Sequence, residues 1–95
     1  MRTILIVGST VRRANYKLEE IYDSLNKDEI KSYYKSQNGS NIIMLDGTQY
    51  KVFGFNEYIR GVKWDCAYID ESLSLDLLDR VVFPMAKYTT EIHWF

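Results

Sequence analysis

The sequence predicts a small α/β domain built on a partly parallel sheet with two main helices. Two continuous apolar runs, residues 3–7 and 66–69, are typical of strands buried inside a parallel sheet. Apolar side chains recur at spacings of three and four in residues 11–25 and 75–86, which predicts one apolar helical face in each segment. With 95 residues, the chain is long enough for one core between two packed layers, so we expect a single domain over residues 1–95.

The first helix has its start signal in the sequence. Ser9 and Thr10 follow the first strand, and either can cap a helix that begins at Val11, because a hydroxyl oxygen can accept a hydrogen bond from the first helical turn. Residues 26–40 are polar and contain an Asn-Gly turn dipeptide. We therefore expect this segment to hold the end of the helix or an irregular excursion, followed by a turn.

The second half of the chain predicts a hairpin, a buried strand, a helix and a final strand. Residues 41–45 and 48–55 are strand-like runs around an Asp-Gly dipeptide, which favours a tight antiparallel turn. The buried strand at residues 66–69 precedes the second helix, whose last turn we expect Pro84 to shape. Residues 89–95 alternate in polarity as a strand does, so the predicted order is β-α-β-β-β-α-β.

Composition argues against several classes of protein. A formal net charge of −1 argues against non-specific nucleic-acid binding as the main activity. Cys66 is the single cysteine and His93 the single histidine, so we expect a buried thiol and no Cys/His zinc cluster. The apolar run near the N-terminus is too short for a signal peptide or a membrane span, so we expect no membrane partner and a cytoplasmic location, the host cytoplasm if the source is a phage.

Three arginines are candidates for contact with nucleic-acid or nucleotide phosphates: Arg12, Arg13 and Arg60. Two guanidinium groups at the start of a helix supply both positive charge and forked hydrogen-bond donors. The alternative for Arg12 and Arg13 is a solvated helix face or an ion pair with residues 65–79, which contain five carboxylates and no basic residue.

Aromatic residues make up 15% of the chain, and we expect most of them to fill the core of the sheet. Tyr33, Tyr34 and Trp94 are the candidates for an exposed interaction surface, since Tyr and Trp combine a large apolar area with a polar group.

Two adjacent carboxylates, Asp70 and Glu71, end the predicted buried strand, and Asp65 precedes it. An apolar strand that ends in Asp-Glu is the Walker B pattern, in which the Asp holds magnesium and the Glu polarises a water molecule. Asp70 and Asp65 are accordingly candidate metal ligands. The alternative is that Asp70 and Glu71 stand at a helix N-terminus, where the helix dipole favours carboxylates.

In their order along the chain, these features resemble the middle of the ATPase core of phage large terminases and of related superfamily-2 helicases. The matching segments are Ile-Leu-Ile-Val-Gly-Ser-Thr-Val-Arg-Arg at 4–13, the strand pair at 41–48 and 51–55, Arg60-Gly61, Asp65, and Tyr-Ile-Asp-Glu at 68–71. The resemblance covers nearly the whole chain and implies an α/β fold like that of a P-loop ATPase fragment. It also implies that Asp70 belongs to a magnesium shell and that Glu71 activates water.

One part of that machinery is absent from this sequence. Phosphate binding in the family requires G-x-x-x-x-G-K-[ST], and none of the five glycines here is followed by Lys. For the isolated chain we therefore expect no cofactor, while Mg²⁺ and ATP would bind only in a site that a partner chain completes.

Two functional hypotheses follow. In the first, which we favour, the chain is a small phage-type protein without catalytic activity that binds a host or viral protein of nucleic-acid metabolism. In the second, it is one chain of a split P-loop ATPase for DNA packaging or unwinding, in which Glu71 is catalytic once a partner supplies the phosphate-binding loop. A stand-alone metal-dependent nuclease using Asp65, Asp70 and Glu71 is disfavoured, since no Lys or His is positioned to complete it.

Overall fold

The computed structural model describes residues 2–54, 64–74, 76, 78–79 and 86–95. Within these ranges a six-stranded sheet carries helix α1 on one of its faces. The elements are β1 (Thr3–Gly8), α1 (Val11–Ser24), a 3₁₀ turn (Lys27–Glu29), β2 (Ile30–Tyr34), β3 (Asn41–Met44), β4 (Gln49–Gly54), β5 (Trp64–Ile69) and β6 (Ala86–Trp94).

The sheet is mixed, with the strand order β2-β3-β4-β1-β5-β6. Strands β4, β1, β5 and β6 are parallel to one another, whereas β2, β3 and β4 pair antiparallel. Apolar side chains pack on both faces of β1, with Leu5 and Val7 in one core cluster and Ile6 in the other, so residues 4–8 are all buried, as the continuous apolar run predicts. The partly parallel sheet and the antiparallel pair of β3 with β4 are both confirmed.

Two clusters of buried side chains form the core. The first lies between α1 and the sheet, where Ala14, Leu18 and Ile21 of α1 pack against apolar residues of β1, β3 and β4. The second cluster contains Leu5, Val7, Trp64, Ala67, Ile69 and Leu78. Burial of the predicted apolar face of α1 is the main contact that holds the helix to the sheet.

The start of α1 follows the predicted capping. Thr10 has an extended backbone, and its hydroxyl oxygen accepts a hydrogen bond from the Arg13 backbone N–H at 3.1 Å. This bond satisfies one of the N–H groups that the first turn of a helix leaves without an intrahelical partner.

Strand β2 corrects the expectation for residues 26–40. Instead of an irregular excursion, that segment contains a 3₁₀ turn followed by β2. Strand β2 is an edge strand that pairs antiparallel to β3. Because β2 is paired on one side, Lys31 and Ser32 stay exposed, and only Ile30 and Tyr33 are partly buried. A strand with so few buried side chains lacks the apolar pattern from which strands are predicted.

The predicted second helix falls largely on residues outside the described ranges, and Pro84 is among them. Asp76, Leu78 and Asp79 have helical backbone, and the Leu78 N–H donates to the Ser74 carbonyl oxygen at 3.1 Å. The predicted final strand is present but begins earlier, because β6 already includes Ala86. In the part of the chain that the structure describes, no helix is long and apolar enough to cross a membrane.

Candidate functional site

Asp70 lies directly after β5, at the end of the sheet that is formed by the carboxyl ends of the parallel strands. Its backbone N–H donates to the Val7 carbonyl oxygen at 2.9 Å, which continues the pairing of β5 with β1. The short loop of residues 9–10 between β1 and α1 lies at the same end of the sheet. Parallel pairing therefore brings the start of α1 beside the carboxylate at the end of β5.

The Asp70 side chain is fully buried and accepts from four donors. Oδ2 accepts from the Ser9 backbone N–H at 2.9 Å and lies 2.6 Å from Nε of Arg13. Oδ1 accepts from the Ser72 backbone N–H at 3.0 Å and from the Ser72 hydroxyl at 2.8 Å. A carboxylate has about four lone-pair sites. The protein therefore occupies the full acceptor capacity of Asp70.

These donors decide the charge state of Asp70. Burial by itself would raise the pKa of the carboxyl group, because it removes water from the charged form. The hydrogen bonds from Ser9 and Ser72 act in the opposite direction and outweigh burial, so the pKa lies well below the usual carboxyl range. Asp70 is consequently ionised at neutral pH.

Two glycines allow α1 to approach the sheet this closely. Gly8 and Gly54 are register partners at the ends of β1 and β4. A Cβ atom at Gly8 would lie 2.6 Å from the Thr10 carbonyl oxygen, and one at Gly54 would lie 2.9 Å from the Val11 backbone N. The sequence pattern did not predict a role for either glycine, although each stands at the end of a predicted strand, where close backbone approach is common.

Glu71 is exposed at the same end of the sheet as Asp70. Its backbone N–H donates to the Phe95 carbonyl oxygen at 2.7 Å, and the Phe95 N–H donates to the Ile69 carbonyl oxygen at 2.9 Å. The backbone of Glu71 is thus held by the end of the chain after β6, while its carboxylate is exposed next to the Asp70 site.

Asp65 is not part of this site, which corrects the expected pairing of Asp65 with Asp70 around one metal ion. It lies near the start of β5, where its Oδ2 accepts from the Thr3 backbone N–H at 2.8 Å. Asp70 is five positions further along the extended chain, a distance of about 16 Å at roughly 3.3 Å per residue. The two carboxylates therefore cannot bind the same ion.

The candidate arginines have different surroundings. Arg13 makes the ion pair with Asp70. An ion pair with residues 65–79 was one alternative to phosphate contact that the sequence offered for this arginine. Arg12 is exposed, and its guanidinium group donates to the Tyr16 hydroxyl oxygen at 3.3 Å. Arg60, with the neighbouring Gly61, lies outside the described residues.

The three candidate aromatic residues also differ. Tyr34 is 62% exposed and Trp94 is 48% exposed. Tyr33 is partly buried, with its ring centroid 4.3 Å from that of Tyr22 on α1. The expectation of an exposed Tyr33 is therefore wrong, because β2 turns this side chain toward the helix.

Similarity to known proteins exists at the level of structure. No protein-family model matches the chain, and no curated protein matches it. Two solved structures of the large terminase from a thermophilic bacteriophage are similar to it. One, in complex with ADP, has a TM-score of 0.65 at 13% identity; the other has a TM-score of 0.61 at 16% identity.

These matches cover 99% and 98% of this chain but 25% of each terminase chain. At such low identity the likeness concerns the fold. The chain therefore has the α/β fold of a part of a phage large terminase and spans about a quarter of that protein's length.

Proposed function

We propose that this chain is a non-catalytic binding module related to a terminase ATPase core, and that it binds a protein of nucleic-acid metabolism. The observation that carries this proposal is the full occupation of the Asp70 carboxylate by donors of the chain itself. The residue that the family resemblance assigns to magnesium has a structural role here.

A magnesium ion would have to displace one of these donors. Mg²⁺ binds through oxygen lone pairs in near-octahedral geometry and requires closely placed anionic or neutral oxygens. At Asp70 the nearest competitor is the Arg13 guanidinium group, whose positive charge opposes a second cation. Asp70 instead joins the start of α1 to the end of β5, which stabilises the fold without nucleotide.

The outer edge of β6 supplies a surface for a protein partner. Ile92 and Trp94 are 39% and 48% exposed, and they are two residues apart on the strand, so they share one face. In the described part of the chain, β6 pairs with β5 alone and is the last strand of the sheet. A strand edge with exposed apolar side chains favours addition of a strand from another protein.

Affinity capture of the tagged chain from cells of its natural setting tests this proposal, with bound proteins identified by mass spectrometry. We expect a protein of nucleic-acid metabolism to be captured by the wild-type chain. The double variant Ile92→Ser/Trp94→Ser should bind it at least about thirtyfold more weakly, since buried Trp residues often dominate an interface. Leu45→Ser, which changes a 66% exposed apolar residue in the turn after β3, is the matched control and should bind normally. Equal binding by all three proteins would refute the proposed surface.

A split ATPase is the second candidate, and the position of Glu71 favours it. Its exposed carboxylate follows a buried aspartate at the end of a parallel strand and has a fixed backbone. In this candidate a partner supplies the phosphate-binding loop, Mg²⁺ and ATP bind in the assembled site, and Glu71 acts as the general base.

Hydrolysis of ATP by the captured complex distinguishes the two candidates. For a split ATPase, Glu71→Gln should lower the rate about a hundredfold or more, the usual range for loss of a general base. The control Glu19→Gln changes an exposed glutamate of α1 and should leave the rate unchanged. For a binding module, Glu71→Gln changes neither hydrolysis nor capture.

A further inference from the structure

We propose that Cys66, Glu91 and His93 form a binding site for one Zn²⁺ ion at the junction of β5 and β6. The Cys66 Sγ, one carboxylate oxygen of Glu91 and one imidazole nitrogen of His93 all lie within 4.8 Å of one another. Strand pairing creates this cluster. Cys66 is the register partner of Glu91, and His93 is two residues further along β6, on the same face of the strand as Glu91.

The donor set determines which metal ion fits. Thiolate, imidazole and carboxylate are the ligands that Zn²⁺ uses in proteins, and three of them leave a fourth position for water or another ligand. Mg²⁺ and Ca²⁺ prefer oxygen ligands, so the sulfur and nitrogen donors select against both. The sequence argued against a Cys/His cluster because the chain has one residue of each type, but parallel pairing of β6 with β5 brings both beside a glutamate.

The site requires only small movements to close. Tetrahedral zinc with bonds of about 2.0 to 2.3 Å places its donor atoms about 3.5 Å apart, so separations of up to 4.8 Å must shorten by about 1.3 Å at most. Cys66 is buried and fixed within the sheet. The side chains of His93 and Glu91 are 50% and 68% exposed and can therefore move toward an ion.

Neighbouring groups already orient the ligands. The His93 ring stacks on Tyr68, with centroids 4.8 Å apart and an angle of 21° between the planes, and Nε2 of His93 lies 3.6 Å from Oε2 of Glu91. On binding, the Cys66 thiol releases its proton to solvent and the sulfur bonds to the ion, with no change of oxidation state. The thiolate and the carboxylate together balance the charge of Zn²⁺.

Titration of the reduced full chain with Co²⁺, a spectroscopic substitute for Zn²⁺, tests the site. We expect one Co²⁺ per chain, with a thiolate-to-cobalt charge-transfer band that Cys66 alone can produce, since the sequence has no other cysteine. Added Zn²⁺ should remove this band, and added Mg²⁺ should not. Absence of the band in the folded protein, or one ion shared by two chains, would overturn the proposal.

Variants assign the other two ligands. His93→Gln and Glu91→Gln should each weaken Co²⁺ binding at least about tenfold, because even residues that only support metal ligands cost this much when changed. Both side chains are largely exposed, so circular dichroism should show an unchanged fold. Glu19→Gln is the control for loss of one exposed carboxylate and should bind Co²⁺ as wild type does. Wild-type affinity in both His93→Gln and Glu91→Gln would refute the site, whatever partner the chain binds.

Discussion

Arg13 in the first turn of α1 and Asp70 at the end of β5 form an ion pair, with Nε of Arg13 2.6 Å from Oδ2 of Asp70. The Asp70 carboxylate is fully buried, while 51% of the Arg13 side chain remains exposed. Three further hydrogen bonds from Ser9 and Ser72 reach the same carboxylate. The pair thus joins three parts of the fold: the loop after β1, the start of α1 and the turn after β5.

Replacement of Asp70 by Asn should destabilise the protein by about 2 to 3 kcal/mol. The amide keeps the size of the side chain but turns one acceptor into a donor that faces other donors, and unsatisfied buried groups cost about this much. Arg13→Gln should cost about 1 kcal/mol or less, because half-exposed ion pairs contribute little. Urea denaturation of both variants measures the difference. A smaller loss for Asp70→Asn than for Arg13→Gln would contradict the structural role of the carboxylate.

The stability of the protein should fall in acid because of Asp70. Its folded-state pKa is lowered, so at a pH below about 4 the unfolded chain takes up a proton that the folded chain does not. The stabilisation is thus complete above about pH 4 and is lost as the pH falls toward the lowered value. Urea denaturation between about pH 7 and pH 3 should show this decline in wild type and a flatter curve in Asp70→Asn. Parallel curves for the two proteins would contradict the assignment.

Alanine at Gly8 should destabilise the fold more than alanine at Gly54. The added Cβ at Gly8 meets backbone atoms, the Thr10 carbonyl oxygen at 2.6 Å and the Ala14 N at 2.7 Å. At Gly54 the closest atoms are both 2.9 Å away, the Val11 backbone N and the Val11 Cγ2 atom, and the second of these can move. We expect a loss of about 2 to 3 kcal/mol at Gly8 and about 1 kcal/mol at Gly54, in the usual range for overpacking. Thermal unfolding followed by circular dichroism gives the order, and the reverse order would contradict the close approach of α1 to β1.

Tyr33 and Tyr34 should respond differently to the same substitution. Tyr33→Ala removes the ring contact with Tyr22 at 4.3 Å and should cost about 1 to 2 kcal/mol. Tyr34→Ala removes a side chain that is 62% exposed and should change stability by less than about 0.5 kcal/mol. Equal losses in urea denaturation would show that β2 does not pack as described.

Much of the fold was predictable because most elements carry local signals. The continuous apolar run of β1, the three- and four-residue spacing in α1 and the Asp-Gly turn between β3 and β4 each depend on residues close in sequence. Strand β2 has no such signal, since it is a polar edge strand whose hydrogen bonds to β3 define it. Tyr33 was misassigned for the same reason, because its burial depends on the packing of β2 beside α1.

The sequence by itself determined the types of chemical group available: an apolar strand that ends in Asp70 and Glu71, arginines at the start of α1, one cysteine and one histidine. Only the tertiary structure decided which of them meet. Parallel pairing of β5 with β1 set Asp70 against Ser9 and Arg13, and pairing with β6 set Cys66 beside Glu91 and His93. Asp65 and Asp70, close in sequence, were separated because an extended strand adds about 3.3 Å per residue. Contacts between strands depend on register across the sheet, which no local pattern encodes.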